Sequence, residues 1–382
     1  MPWQEDTRMS LRREFVALAK TETVSLSELC RRFTISRPTA YKWLQRASSD
    51  HHEDFSDRSR RPFHSPTKTP SDIEDEILNL RVQHPAWGGR KIARVLQNQG
   101  YKKIPAPSTV THILRRHGLI HPRQSGDGAV YHRFEHETPN QLWQIDFKGY
   151  FATGQGRCEP LTMLDDHSRY NLVLNAMQTT NTVPVKHVLT ETFRQYGLPQ
   201  RINADNGQPW GSPAARHHGL SQLSVWLIRL GIQISFSRPY HPQTNGKEER
   251  FHRTLKAEVL KGRHFDNLKQ VQHAFDEWRV IYNHVRPHDA LDLAVPASRY
   301  RPSSRPFPEV LPDIEYSPDD EVVVVKHNGV VRFKQHRLKV SNALLGLPVA
   351  FRQDHQQEGC YQLYFCHHRL GKLDLRNTRE SC

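Results

Sequence analysis

The sequence predicts a multidomain chain: N-terminal all-α modules, a central α/β domain and a small all-β module at the C-terminal end. Three observations carry that expectation. Helical periodicity with capping signals fills residues 11–46 and again 72–117. From Gln141 short apolar runs of strand length alternate with helical stretches. Beyond residue 319 only short strand-like runs remain. At 382 residues the chain also exceeds one ordinary core.

The first module, residues 1–48, reads as a helix-turn-helix. Leu11 to Lys20 puts Phe15, Leu18 and Ala19 on one side of a helix. Ser25 and Glu28 form a capping-box pattern that opens a second helix through Leu26, Leu29 and Phe33. Ser36 caps a third helix with Pro38 in its first turn, running to about Arg46. Tyr41, Trp43 and Leu44 supply apolar bulk there, which leaves Arg37, Thr39, Lys42 and Arg46 as candidates for a DNA major groove. A plain structural bundle would show the same pattern.

Residues 49–71, rich in Ser, Asp, His, Arg and Pro, read as a linker. A second helical trio, residues 72–122, follows as Asp72–Gln83, Gly89–Gln99 and Ser108–His117, with Ser108 as a cap. Lys91, Arg94, Arg115 and Arg116 make it a second helix-turn-helix candidate, and two such modules suit a long, bipartite DNA site.

The central domain, residues 136–300, offers strands at Leu142–Phe147, Pro160–Leu164, Tyr170–Met177, Arg201–Ala204 and Ile232–Phe236. Helices are expected over Thr182–Tyr196, Leu220–Leu230, Asn245–Leu260 and about Asn267 to Tyr282. A Pro-rich linker, 301–318, leads to the last module, 319–382. There Val322–Val325 and Val330–Phe333 flank Asn328-Gly329, a hairpin signal. Further strands are expected at Leu347–Arg352, Cys360–Cys366 and Leu370–Leu375, with a barrel-like closure. Lys334, His336, Arg337 and Lys339 fit phosphate contacts; a structural cap fits nearly as well.

Composition narrows the partner. Lysine and arginine number 54 against 40 acids, a formal charge of +14 that suits a polyanion such as double-stranded DNA. Five scattered cysteines argue against a disulfide framework and for a reducing compartment. No run reaches membrane-span length, and the N-terminal residues lack a signal peptide's apolar core, so a cytoplasmic, nucleoid-associated location is expected.

Three acids stand where strands end or a helix begins: Asp146, Asp205 and Glu249. Adjacent parallel strands would set Asp146 beside Asp205, and a helix would deliver Glu249. Three carboxylates at one point suit a hard divalent cation, and a pair of cations suits in-line phosphoryl transfer. At about 100° per residue, Phe251, Leu255 and Val259 form the stripe that packs on the sheet. Glu249 lies at its border, near Lys256 in angle. Glu248 falls nearer the stripe and is the weaker ligand, and Asp165 and Asp166 read as a turn between antiparallel strands. Trp143, Trp226 and Trp278 read as core. His241 is either a loop residue bonded to backbone or phosphate, or an aid to proton transfer.

These stretches closely resemble bacterial insertion-sequence transposases of the retroviral-integrase superfamily, especially the family numbered four-eighty-one. Gln141–Gly149, Leu164–Tyr170, Ile202–Trp210, Leu220–Gly231 and Pro239–Glu258 carry the resemblance. The block from Pro239 through Lys247 into Glu249-Arg250-Phe251 is the most specific. The resemblance implies a ribonuclease-H-like integrase core with an Asp-Asp-Glu catalytic and metal-binding triad at Asp146, Asp205 and Glu249. It implies a basic residue at Lys256, and Lys247 and Arg250 join it as DNA-contact candidates. Two Mg²⁺ ions, with Mn²⁺ as a substitute, are the implied cofactors. Terminal inverted repeats and target DNA are the implied partners, bound by a homo-oligomer. The 44 positions from Asp205 to Glu249 exceed the superfamily's usual spacing, which marks Gln208–Ser221 as an insertion. Unlike retroviral integrases, the chain offers Cys30 no paired cysteine, so no structural zinc is expected. A DNA transposase is the expected function. A metal-dependent nuclease without strand transfer and an inactive DNA-binding regulator are the rivals.

Overall fold

The computed structural model describes residues 8–48, 55, 57, 68–120, 135–205, 207–211, 219–236, 246–354 and 356–376. It forms two compact units, 1–68 and 69–382.

The first unit holds α1 (Arg8–Lys20), α2 (Leu26–Arg32) and α3 (Arg37–Ser48) around Phe15, Val16, Leu29, Ala40 and Trp43. Both expected caps form: Ser25 accepts from the Glu28 N–H at 3.4 Å and Ser36 from the Thr39 N–H at 3.4 Å. The unit reaches beyond residue 48. Phe55 is 3% exposed beside Trp43, and Arg12 donates to its carbonyl at 2.7 Å.

The second unit opens with α4 (Ser71–Gln83), α5 (Gly89–Asn98) and α6 (Pro107–Arg116), packed around Ile77, Trp87, Ile92 and Leu114. Ser108 lies inside α6 rather than capping it. Pro107 occupies the first turn, where its missing N–H costs nothing, and Ala106 is the cap residue.

A six-stranded mixed sheet organises the centre. Its strands are β1 (Leu142–Phe147), β2 (Phe151–Thr153), β3 (Gly156–Asp165), β4 (Asn171–Met177), β5 (Arg201–Ala204) and β6 (Gln233–Phe236). Antiparallel β3 pairs with β1, β2 and β4; β5 and β6 continue from β1 in parallel. The expected central strands all form, and β2 is an addition. Strand alternation sends Trp143 and Ile145 of β1 to one face, beneath α7 (Thr182–Tyr196) and α8 (Gln222–Arg229). The other face carries Leu164 and Leu174 under α9 (Gly246–Leu255) and α10 (Leu268–His284). Trp143, Trp226 and Trp278 are all buried.

Residues 301–318 are not a bare spacer. Ser303 and Arg305 bond to the chain after α7, and the Arg305 guanidinium donates to the carbonyls of Pro199, Leu230 and Gly231 at 2.7–3.1 Å. Phe307 packs on Phe193 and Trp226, so apolar side chains between the prolines strap the segment to the core.

The C-terminal strands are β7 (Glu321–Val324), β8 (Val330–Phe333), β9 (His336–Lys339), β10 (Pro348–Gln353), β11 (Cys360–Phe365) and β12 (His368–Asp374). They make a four-stranded sheet, β12-β11-β10-β7, and a separate β8-β9 ribbon around one apolar core. The expected β7–β8 hairpin does not form. Asn328 and Gly329 do turn the chain with positive φ, but β7 pairs with β10 and β8 with β9. Leu220, from the expected insertion, enters this module's core, and its carbonyl accepts from Ser341 at 3.1 Å. Residues 206, 212–218 and 237–245, including His241, lie outside the described residues. Among the described residues no helix is long and apolar enough to cross a membrane.

Candidate active site

Asp146 sits one residue from the end of β1, on the face covered by α9. Burial pushes its carboxyl up to about 6; the Phe147 N–H pulls the other way, and the charges of Asp205 and Glu249 add to the rise. Asp205 follows β5, which pairs in parallel with β1 through Leu142↔Arg201 and Trp143↔Ile202. Glu249 stands exposed in the first turn of α9. Asp146 therefore lies within electrostatic reach of both Asp205 and Glu249, which come from distant segments. Among the described residues no three His, Cys, Asp or Glu side chains lie close enough to grip an ion as they stand. In chemistry the donor set fits: three carboxylates without sulfur or imidazole suit a hard cation.

Helix α9 packs against β1 and β3. At one end Lys247 pairs with Asp166, which also accepts from Gln144 at 2.9 Å. In the middle, the Thr162 hydroxyl, opposite Asp146 in register, lies 3.0 Å from Glu248 Oε2 and 2.8 Å from His252 Nε2. It is also 3.1 Å from the Asp146 carbonyl oxygen. Complete burial, then the Asp146 charge, drives the Glu248 carboxyl well above the usual carboxylate range. Its Oε1 has no hydrogen-bond partner. Burial first and the Lys148 charge second hold His252 down at about 4. A neutral, dry layer thus lies beneath Asp146. The spacing of Glu248 and His252, four apart on one helix, signals such a pair, but Thr162 is 86 residues away in sequence.

Asp165 and Asp166 hold structure, as their turn position suggested. Asp165 accepts from the Asn140 N–H and from Ser168, and Asp166 from the His136 N–H. Phe251, Leu255 and Val259 are buried as the helical stripe required. Helix α9 gives way to a π turn, Lys256–Leu260, that the sequence pattern did not signal. It turns Glu258 inward, where Arg286 and the Trp278 indole each donate to it at 2.9 Å.

The expected DNA-contact residues divide. Arg250 and Lys256 are exposed, whereas Lys247 is directed to Asp166. In α3, Arg37 is exposed but bonded to Ser27, and Thr39 helps close the Ser36 cap. Lys42 and Arg46 stand 5.1 and 4.6 Å from the Trp43 ring, with Arg12 at 4.2 Å. That ring gathers cations on one side of the module.

The comparisons give an integrase-type core, which supports polynucleotidyl-transferase-type activity in general. Integrase core domain models match residues 136–242 and 230–296. A homeodomain-like model matches 39–114, and the model of the IS481 family transposase C-terminal domain matches 320–381. The 31.7 kDa protein of insertion element IS407 from Burkholderia multivorans is 25% identical over 63% of this chain and 85% of its own length. The 39.2 kDa protein of IS476 from Xanthomonas euvesicatoria is 24% identical over 63% and 68%. The Gag-Pol polyprotein of baboon endogenous virus is 29% identical over 49% of this chain and 11% of its own length. Among solved structures, the HTLV-2 integrase catalytic core domain in complex with magnesium is 14% identical, with a TM-score of 0.34, over 43% of this chain and 99% of that one. The chain is thus similar to insertion-sequence transposases with an integrase-type core, and its C-terminal module to that of the IS481 family.

Proposed function

We propose that this DNA transposase cleaves the ends of its element and joins them to target DNA at a site made by Asp146, Asp205 and Glu249. The observation that supports it most is the Asp146 carboxyl, raised first by burial and further by the charges of Asp205 and Glu249. The three carboxylates would hold two divalent ions, Mg²⁺ with Mn²⁺ as a substitute. When bound, such ions stabilise the attacking and leaving oxygens of an in-line displacement. The chain's own residues do the rest. β1 carries the first carboxylate, the residue after β5 the second and α9 the third, and the buried layer of Thr162, Glu248 and His252 shields the first from water. Hydrolysis at the element's end exposes a 3′-hydroxyl, which the same site directs at a target-strand phosphate.

Helical modules read the terminal inverted repeats, with Arg37 and Lys42 among the exposed cations of α3. The β module adds phosphate contacts through residues such as Arg337 and Lys339. Joining two ends requires two active sites, so a homo-oligomer assembles on the DNA, at the nucleoid. The test is to incubate protein with labelled element-end DNA and Mg²⁺ and sequence the products. Paired-end joining is expected, and its loss in Asp146→Asn. Cleavage without joining would make the protein a nuclease. Activity retained by Asp146→Asn would remove the site.

A further inference from the structure

We propose that Lys148, acting with Lys256, is a phosphate-binding residue that seats the DNA strand beside the carboxylate cluster. This rests on the cleavage reading above and adds a residue to it.

The argument begins with strand alternation. Trp143 and Ile145 face α7 and α8, while Gln144 and Asp146 face α9. Pairing continues past the end of β1, because the Lys148 N–H donates to the Pro160 carbonyl at 3.0 Å. Lys148, two residues after Asp146, therefore stays on the α9 face. Along α9, Lys247 meets Asp166, and Glu248 and His252 both meet Thr162, opposite Asp146. Lys256, which opens the π turn after α9, lies near enough to Lys148 for the two charges to act on each other.

Two ammonium groups from separate elements thus face each other one step beyond Asp146. Among the described residues neither lysine has a carboxylate within ion-pair distance. Elsewhere in the unit comparable cations are matched: Lys247 by Asp166, Arg286 by Glu258, Lys334 by Glu321. An unmatched like-charged pair beside an acidic cluster suits an anion that must sit next to bound cations. A DNA phosphodiester is that anion. Lys148 is half-buried, so part of its stem is held against the protein, unlike a fully exposed lysine.

The test uses full-length protein and a duplex copied from the sequences that flank its own reading frame. Single methylphosphonates, each neutral, are placed one at a time around the expected cleavage point. Binding is measured without Mg²⁺ and cleavage with it, for wild type, Lys148→Met and Lys148→Arg. Equal melting temperatures check that the variants fold. Lys148→Met should weaken binding about tenfold, the scale of a lost charge-assisted hydrogen bond, and lower the salt dependence by about one counterion. One methylphosphonate should cost wild type a similar factor and cost Lys148→Met nothing more. Lys148→Arg should restore part of the loss. If every methylphosphonate penalises Lys148→Met as much as wild type, or if Lys148→Met binds as wild type does, the proposal is overturned. A wild type that shows this coupling in binding yet leaves all strands intact with Mg²⁺ defeats the triad reading and sustains Lys148.

Discussion

Replacing His252 with glutamine tests whether the layer beneath Asp146 is dry. Burial and the nearby Lys148 hold the folded imidazole at about 4, against 6.5 in an open chain. As pH falls below 6.5 the unfolded chain takes up a proton on this ring, while the folded chain refuses it until about pH 4. The unfolded state binds more protons across that window, so stability falls as pH falls through it. The gap from 6.5 to about 4, at about 1.4 kcal/mol per pH unit, amounts to about 3 kcal/mol. Glu248 acts in the opposite sense. Its folded carboxyl keeps a proton above the pH at which the unfolded chain releases it, so its share of stability is lost as pH rises. Calorimetry of wild type and variants without divalent cations, from about pH 7.5 to about pH 4, separates the two. His252→Gln should be the less stable chain at neutral pH and gain about 3 kcal/mol on wild type by pH 4. Glu248→Gln should gain on wild type as pH rises. A His252→Gln difference that stays constant across the range would mean the imidazole is solvated, and the dry layer would be abandoned.

Two further substitutions probe the frame around the site. Arg286→Ala leaves the buried Glu258 carboxylate, 5% exposed, without its cation, and should cost about 3–5 kcal/mol in calorimetric unfolding. Gly329→Ala places a Cβ within 2.5–2.7 Å of the Ser341–Asn342 backbone at a φ of +66°, and should cost about 2 kcal/mol or more, read as a lower melting temperature.

The residues that lie on one regular element were legible in the sequence. Leu142–Phe147 alternates apolar and polar side chains, and β1 has those ends. Asp205 follows β5, and the stripe of Phe251, Leu255 and Val259 fixed the face of α9. What escaped depends on partners distant in sequence. Glu248 on the buried face conflicts with the ordinary exposure of acids, and a partner that accounts for it, Thr162, lies on β3, distant in sequence. Asn328-Gly329 signalled a turn correctly, but strand choice was decided by the shared core, which sends β7 to β10. Phe307 and Arg305 convert a proline-rich run into a strap through contacts with α7 and α8 that composition does not encode. The π turn at Lys256 has no sequence signature; the Glu258–Arg286 pair rewards it.

The acids of the second unit fall into two kinds, and the difference bears on the cations. Glu74 is matched by Arg116 and His117, Asp166 by Lys247, and Glu258 by Arg286 and Trp278. Asp165 takes three donors from Asn140 and Ser168. Asp146 differs: its nearby charges are two more carboxylates, and a backbone N–H is what opposes them. Gathering like charges on a half-buried site works against the fold, so a chain without cations should be relieved when one charge is removed. Glu249→Gln should therefore melt higher than wild type without divalent ions, and Mg²⁺ should raise the melting temperature of wild type well above that of the variant. If Glu249→Gln instead melts lower without cations, and rises with Mg²⁺ as far as wild type, these carboxylates serve the fold and not an ion.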